Sequence, residues 1–203
     1  YRVAVVPQPD WHGDYRDFKK LGRPRLFFGI SPGCMDSMVN KYTANRRLRS
    51  VDEYSPDGRH DCRPEYPTIV YSKILRSLYP DVPIVLGGIE ASMRRLTHYD
   101  YWQDCLRRCI LCDSGADLIL YGSGTKSIIQ LCKKLEAGLT IKHIHHIPQT
   151  VYLAKEQDVE GGITDNDIIL HSHEECLQNK RAEAENYRHI EEESNKIHAQ
   201  RLL

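Results

Sequence analysis

Cys105, Cys109 and Cys112 stand in a Cys-x3-Cys-x2-Cys spacing. On a wrapping loop, three thiolates so spaced hold a [4Fe–4S] cluster, with the fourth iron left open to an exchangeable ligand such as a methionyl group. The neighbouring residues point elsewhere. Trp102, Cys105, Leu106, Cys109 and Ile110 recur at i, i+3, i+4, i+7 and i+8, with Asp104, Arg107 and Arg108 on the other side. That period predicts an amphipathic helix in the Tyr99–Asp113 region, with Cys112 one turn further along the apolar side. A helix strings thiols along its axis instead of folding them around a cuboid. The stretch also lacks glycines to turn a loop, and cysteine is among the most often buried residue types. The sequence therefore favours three core cysteines and no metal in this chain. Zinc through the same three lacks a clear fourth ligand, and a cluster on Cys105, Cys109 and Cys112 stands as a rival reading.

Three stretches could contact a ligand. Gly87-Gly88 frees the backbone at the end of an apolar run, and Glu90, Ser92, Arg94, Arg95, His98, Tyr99, Asp100, Tyr101 and Trp102 crowd in behind it. The plainer reading is a solvated loop entering a helix, its arginines paired to carboxylates. Gly122-Ser123-Gly124-Thr125-Lys126 could cradle a phosphate or carboxylate on backbone N–H groups. It is not a Walker A loop, which places four residues between Gly and Gly-Lys, and a tight turn with a capped helix start explains it as well. Ser31, Gly33 and Asp36 form a third small, polar loop. Arg46 and Arg47 could touch phosphate. His143, His145 and His146, and likewise His171 and His173, could pair as metal ligands at i, i+2 on a strand, but no complete ligand set is legible. No nucleophile elbow or Ser-His-Asp order is present.

These loops need elements to hold them. Arg2–Pro7 reads as a buried strand, Asp14–Lys20 as a short helix and Arg25–Ile30 as a second strand. Asn40–Gly58 is a charged excursion. Pro67–Tyr79 is a helix with Ile69, Ile74, Leu75 and Leu78 near one face, stopped by Pro80. Pro83–Leu86 and Leu118–Tyr121 are strands, and Lys126–Glu136 is a helix stopped at Gly138. Thr150–Ala154 and Ile168–Leu170 are short strands, Lys155–Asp167 is a loop, and Leu177–Leu203 is a charged helical tail with a thin apolar stripe. Strand–helix repeats with continuously apolar strands predict an α/β fold, a doubly wound, mostly parallel sheet. Its ligands belong at the carboxyl ends of the strands, where the three glycine-containing loops fall.

The chain has 203 residues, equal numbers of acidic and basic side chains (28 each), seven cysteines and ten histidines. Zero formal charge excludes a strongly basic nucleic-acid sheath and leaves nucleic acid a minor option. The apolar runs are too short to span a bilayer. An odd cysteine count in a chain able to build a core argues for a reduced, cytoplasmic setting. Tyr1 is not a start methionine and no signal peptide is legible, so a fragment of a longer protein is expected.

Gln8-Pro9-Asp10-Trp11, Leu21-Gly22-Arg23-Pro24-Arg25-Leu26-Phe27-Phe28-Gly29, Met35 to Ala44 and Arg46-Arg47-Leu48-Arg49 resemble the amino-terminal region of the YgiQ-like (UPF0313) radical SAM proteins. Val85 to Ser92, Arg94-Arg95, His98 to Trp102, Asp117 to Gly122 and His171-Ser172-His173-Glu174 continue the resemblance over nearly the whole chain. The resemblance implies a cobalamin-binding-like (flavodoxin-like) domain ahead of a radical SAM barrel. The [4Fe–4S] cluster and S-adenosylmethionine would belong to that downstream barrel, and Cys105, Cys109 and Cys112 lie at positions the family does not use for the cluster. No Asp-x-His-x-x-Gly run is present, so cobalamin ligation through histidine is not expected. The family region begins with one more strand and helix, which makes the chain truncated at both ends.

The organisation expected is an α/β sheet domain over residues 1–154 with an irregular insertion at 40–64, a loop over 155–167, and a short strand and helical tail over 168–203 leading to the barrel. The function expected is that of a non-catalytic amino-terminal domain of a radical SAM enzyme, shaping the substrate side of the barrel of the same polypeptide. Its contact residues would be Ser31, Gly33, Asp36, Arg46, Arg47, Gly87, Gly88, Glu90, Ser92, Arg94, Arg95, His98, Tyr99, Asp100, Gly122 and Gly124. The rival readings are a stand-alone binding module for a small anion or nucleotide, and an iron–sulfur enzyme on the three cysteines.

Overall fold

A computed structural model describes residues 1–159 and 161–203; Glu160, within the expected loop Lys155–Asp167, lies outside the described residues. The strands are β1 (Phe28–Ile30), β2 (Ile84–Leu86), β3 (His98–Asp100), β4 (Cys105–Arg107), β5 (Leu118–Leu120) and β6 (Thr150–Val151). The α-helices are α1 (Arg16–Lys19), α2 (Ser37–Lys41), α3 (Pro67–Leu78), α4 (Gly88–Met93), α5 (Ile110–Ser114), α6 (Thr125–Glu136), α7 (His173–Gln178) and α8 (Lys180–Ser194). They fall into two units, Tyr1–Leu96 with Cys109–Leu153, and Thr97–Arg108 with Ala154–Leu203.

The first unit is an open α/β sheet in the order β1-β2-β5-β6. β1, β2 and β5 run parallel, with Phe28 opposite Ile84 and Val85 opposite Leu118, and β6 returns antiparallel with Leu120 opposite Thr150. Every side chain of β2 and β5 is buried, as strands covered on both faces require. Alternation then sorts them. Ile30, Ile84, Leu86 and Ile119 meet Ile74 and Leu75 of α3 and Ile110 and Leu111 of α5. Val85, Leu118 and Leu120 point the other way, onto Leu131 of α6 with Ile141, Ile144 and Ile147. Right-handed crossovers taken in one direction put their helices on one face, and α3 and α5 indeed share one cluster. The antiparallel return to β6 carries no such constraint, so α6 covers the opposite face. Strand order does not reverse among the described residues.

Arg76 of α3 ties the amino ends of the strands together. It donates to the Pro80 and Val82 carbonyls and pairs with Asp117 at 2.7 Å, and Asp117 also accepts the Ile84 N–H at 2.8 Å. The Asn40–Gly58 excursion is organised around Asp52. That buried carboxylate accepts from Asn40 Nδ2 (2.7 Å), the Tyr54 N–H (3.0 Å) and Ser55 Oγ (2.9 Å) and pairs with Arg63 (3.3 Å).

Arg2–Pro7 is not a strand. It is irregular, with Val3 and Val5 about four-fifths exposed at 83% and 79%; its β-branched run has no partner strand to bury it. The Tyr99–Asp113 helix is also overturned. β3 and β4 form a hairpin with Tyr99 opposite Leu106 and Asp100 opposite Cys105, and only Ile110–Ser114 is helical. Asp100 is the cause: its carboxylate accepts the N–H groups of Trp102 and Gln103 (3.0 Å each), and Asp104 takes a left-handed φ of 56°. A local side-chain acceptor of this kind turns the backbone out of a helix. Ile168–Leu170 makes only a single bridge, between Ile168 and Leu202. The tail divides into α7 and α8 and is non-helical beyond Ser194, apart from a turn.

In the second unit a capping box starts α7, Ser172 Oγ accepting the Glu175 N–H while Glu175 accepts the Ser172 N–H. Buried Asn186 of α8 accepts the His171 N–H at 2.8 Å and donates to the His171 carbonyl at 2.9 Å.

Candidate functional site

The carboxyl ends of β1, β2 and β5 bring the three glycine-containing loops of the first unit side by side. The Gly87 N–H donates to the Ile30 carbonyl at 2.9 Å and the Ile89 N–H reaches the Gly33 carbonyl at 3.5 Å, so the β1 and β2 loops are bonded directly. Gly88 has φ +79°, and a Cβ there would lie 2.6 Å from Ser31 Oγ and 2.9 Å from the Gly33 carbonyl. Only glycine gives both the left-handed backbone and this approach. Gly122 is also left-handed after β5, with φ +67°, but a Cβ there would meet only the far end of the flexible Gln149 side chain, its Nε2 at 2.8 Å. Gly124, also left-handed, precedes α6, whose first turn receives no side-chain cap.

The stretch behind Gly87-Gly88 is not a solvated loop: α4 begins at Gly88 itself and carries Glu90 and Ser92, with Arg94 as its C-cap and Arg95 just beyond. Glu90 is wholly buried; its Oε1 accepts the Thr68 N–H from the start of α3 at 3.3 Å, and its Oε2 has no hydrogen-bond partner among the described residues. Arg94 is buried and pairs with Asp36, while its guanidinium lies 5.8 Å from the Tyr66 ring centroid. Asp36 is the N-cap of α2, accepting the Met38 N–H at 3.0 Å and the Val39 N–H at 3.4 Å. Ser92 Oγ turns back to the Gly88 carbonyl at 2.8 Å. Arg95 donates to the Ser92 carbonyl at 2.7 Å and lies over the Tyr121 ring at 4.9 Å, joining α4 to the β5 loop. The site is therefore a rigid floor: Asp36, Ser92 and Arg94 hold it together, and the glycine backbones and Arg95 line its rim.

Sequence reasoning missed Thr68 and Tyr71 on α3. Thr68 is wholly buried, and its Oγ1 and the Tyr71 hydroxyl, like Glu90 Oε2, have no hydrogen-bond partner among the described residues. Burial, with the Glu90 charge nearby, pushes the Tyr71 phenol up to about 12. Polar residues inside a helix that reads as amphipathic give no sign that they face inward.

Arg46 and Arg47 sit apart in an exposed turn closed by Thr43, whose hydroxyl accepts the Arg47 N–H at 3.2 Å. His98, Tyr99 and Asp100 lie in the β3–β4 hairpin of the second unit, where Tyr99 donates to Asp104 and Asp100 organises the turn. Several of the histidines have other partners. His143 bonds Thr140 at 2.7 Å, His145 stacks on Tyr152 at 4.3 Å, His171 meets Glu185 at 3.0 Å and His173 meets Thr97 at 3.3 Å.

Two of the three cysteines are not core residues: Cys105 and Cys112 are exposed, whereas half-buried Cys109 packs against the core beside α3 and α5. Cys105, Cys109 and Cys112 occupy a strand, a helix cap and a helix, respectively. Burial, the largest cause, pushes the Cys109 thiol up to about 11. Among the described residues no three His, Cys, Asp or Glu side chains are placed to hold a metal ion. None of the helices among them is long and apolar enough to cross a membrane.

The Radical SAM N-terminal family matches residues 1–203. The chain is 60% identical to a UPF0313 protein of Bacteroides thetaiotaomicron, over 99% of this chain and 34% of that protein. It is 58% identical to a UPF0313 protein of Porphyromonas gingivalis, over 100% of this chain and 32% of that protein. Against the UPF0313 protein YgiQ of Salmonella typhimurium it is 46% identical over 77% of this chain and 21% of that protein. The chain thus spans about a third of the length of the first two relatives. No solved structure matches it. With a family match from end to end and relatives this similar, the chain belongs to the Radical SAM N-terminal family, as the N-terminal domain of UPF0313/YgiQ-like proteins.

Proposed function

We propose that this region is a non-catalytic accessory domain of a cytoplasmic radical SAM enzyme, and that its β1, β2 and β5 loops shape the substrate side of the downstream barrel of the same polypeptide. A [4Fe–4S] cluster and S-adenosylmethionine in that barrel supply the radical chemistry. The observation that carries the reading is the bonded floor of Asp36, Gly88, Glu90, Ser92 and Arg94 at the carboxyl ends of the strands, where open α/β sheets present ligands. It is a surface whose parts are bonded to one another. We take Cys105, Cys109 and Cys112, which stand on a strand, a cap and a helix, to hold no cluster, and no histidine occurs in the Ser31–Asp36, Gly87–Arg95 or Tyr121–Lys126 segments to ligate cobalt. The cobalamin-binding-like, doubly wound arrangement is proposed only as a likeness of plan. It requires a further strand beside β1, reversing the order seen here.

The test uses the full-length protein, purified and reconstituted without oxygen. Replacing all three cysteines by serine is expected to leave iron and sulfide content and reductive cleavage of S-adenosylmethionine unchanged. Loss of iron in the triple variant would place the cluster here and end this reading.

A further inference from the structure

We infer that the single parallel bridge of the second unit, between Ile168 and Leu202, begins an unfinished parallel sheet, and that the polypeptide following Leu203 in the longer protein continues it along the outer edge at Leu202. The Ile168 N–H donates to the Arg201 carbonyl at 2.9 Å, the Leu203 N–H to the Ile168 carbonyl at 3.0 Å, and the Leu170 N–H to the Leu203 carbonyl at 2.8 Å. This alternation from one chain to the other is the parallel ladder, and α7 and α8 form the crossover between its two strands.

The ladder is anchored at both ends. Arg201 grips Asp167 through Nε (2.8 Å) and Nη2 (2.7 Å), and Nη2 also donates to the Gly162 carbonyl at 2.7 Å. That bidentate contact fixes the register, and its hydrogen bonds hold the Asp167 carboxyl well below the usual carboxylate range. Asn186 fixes His171, just past the other end.

An isolated two-stranded pairing is marginally stable at best in water, and a parallel one is slightly weaker than an antiparallel one. Along a parallel strand, alternate residues turn their backbone groups to opposite edges. Ile168, Leu170, Arg201 and Leu203 face each other, so Ile169 and Leu202 face outward, and neither makes a backbone hydrogen bond among the described residues. Ile169 is 60% exposed and Ile197, ahead of the second strand, 94%. Open edges of this kind are templates for another strand.

The same polypeptide is the occupant argued for, because the related proteins are about three times as long as the part matched here and the family is an N-terminal one. A parallel neighbour also requires a crossover, which the next strand–helix unit of the chain provides. The inference rests on that greater length and not on the radical chemistry of the proposed function, so iron content and cofactor cleavage test that reading separately.

The experiment is amide hydrogen exchange at Leu202, in the 203-residue chain and in the full-length protein. Protection at Leu202 is expected to rise on the order of 100-fold in the full-length protein. Leu202→Pro removes the outward N–H and leaves the inner ladder bonds, and is expected to lower the Tm of the full-length protein more than that of the short chain. Equal exchange in the two proteins overturns the inference. So does concentration-dependent protection of the short chain, which would make a second copy the occupant.

Discussion

Arg94, the C-cap of α4, pairs with Asp36, the N-cap of α2, and both side chains are buried. One ion pair thus joins the loop after β1 to the helix after β2, and Asp36 caps α2 with its remaining capacity. Removing one partner strands the other charge, which costs about 3–5 kcal/mol. Arg94→Met and Asp36→Ala are each expected to lose stability in that range by urea unfolding, while the double variant recovers part of the loss. Additive losses would show that the two residues act independently.

Asp52 sets a pH dependence. Burial pushes its carboxyl up, but hydrogen bonds from Asn40, Tyr54 and Ser55 and the charge of Arg63 outweigh burial and hold it below its ordinary value of 3.8. A folded-state value below the unfolded one stabilises the protein fully above about pH 4, and that stability is lost as pH falls through the folded value. Asp52→Asn is expected to be less stable than the parent at pH 7, with the gap narrowing below pH 4. A gap that stays constant from pH 7 to pH 3 would remove Asp52 as a source of the pH dependence.

The parallel strands and the α3 and α6 helices were legible because continuous apolar runs bounded by Pro and Gly describe them directly. Phe28–Ile30, Ile84–Leu86 and Leu118–Leu120 lie inside the spans the sequence marks, and Pro67 and Gly138 bound the helices as expected. The 99–113 segment was misread because its apolar residues also satisfy a helical period, while the deciding interaction is a single carboxylate, Asp100, accepting two N–H groups. Arg2–Pro7 was misread because β-propensity describes a surface that fits a sheet and supplies no partner for it. In the candidate site the glycines were visible by type. The burial of Glu90 beside Thr68 was not, since it depends on how α3 and α4 meet and leaves no periodic mark.

Gly88 and Gly138 separate backbone strain from steric contact. Both have positive φ, +79° and +89°, but a Cβ at Gly138 meets nothing within 4 Å, whereas at Gly88 it lies 2.6 Å from Ser31 Oγ. Gly138→Ala is expected to cost about 1 kcal/mol from the left-handed backbone alone. Gly88→Ala is expected to cost about 2–4 kcal/mol, because the Ser31-Pro32-Gly33 loop must also move. Equal losses in thermal unfolding would mean that the loop yields freely and that the floor is not rigid.

The thiols provide the sharpest contrast between the periodic reading of the sequence and the folded chain. Exposed Cys105 and Cys112 should react within the first phase of labelling by an aromatic disulfide reagent at pH 8, and their serine variants should stay within about 0.5 kcal/mol of the parent. Cys109 is half-buried and its thiol is pushed up to about 11, so its thiolate is scarce at pH 8 and its labelling should be the slowest of the three. Raising the pH toward 11 should speed Cys109 labelling steeply. If instead Cys105 were the slow thiol and Cys105→Ser the destabilising change, the hairpin would be wrong and a buried helix through 99–113 would be restored.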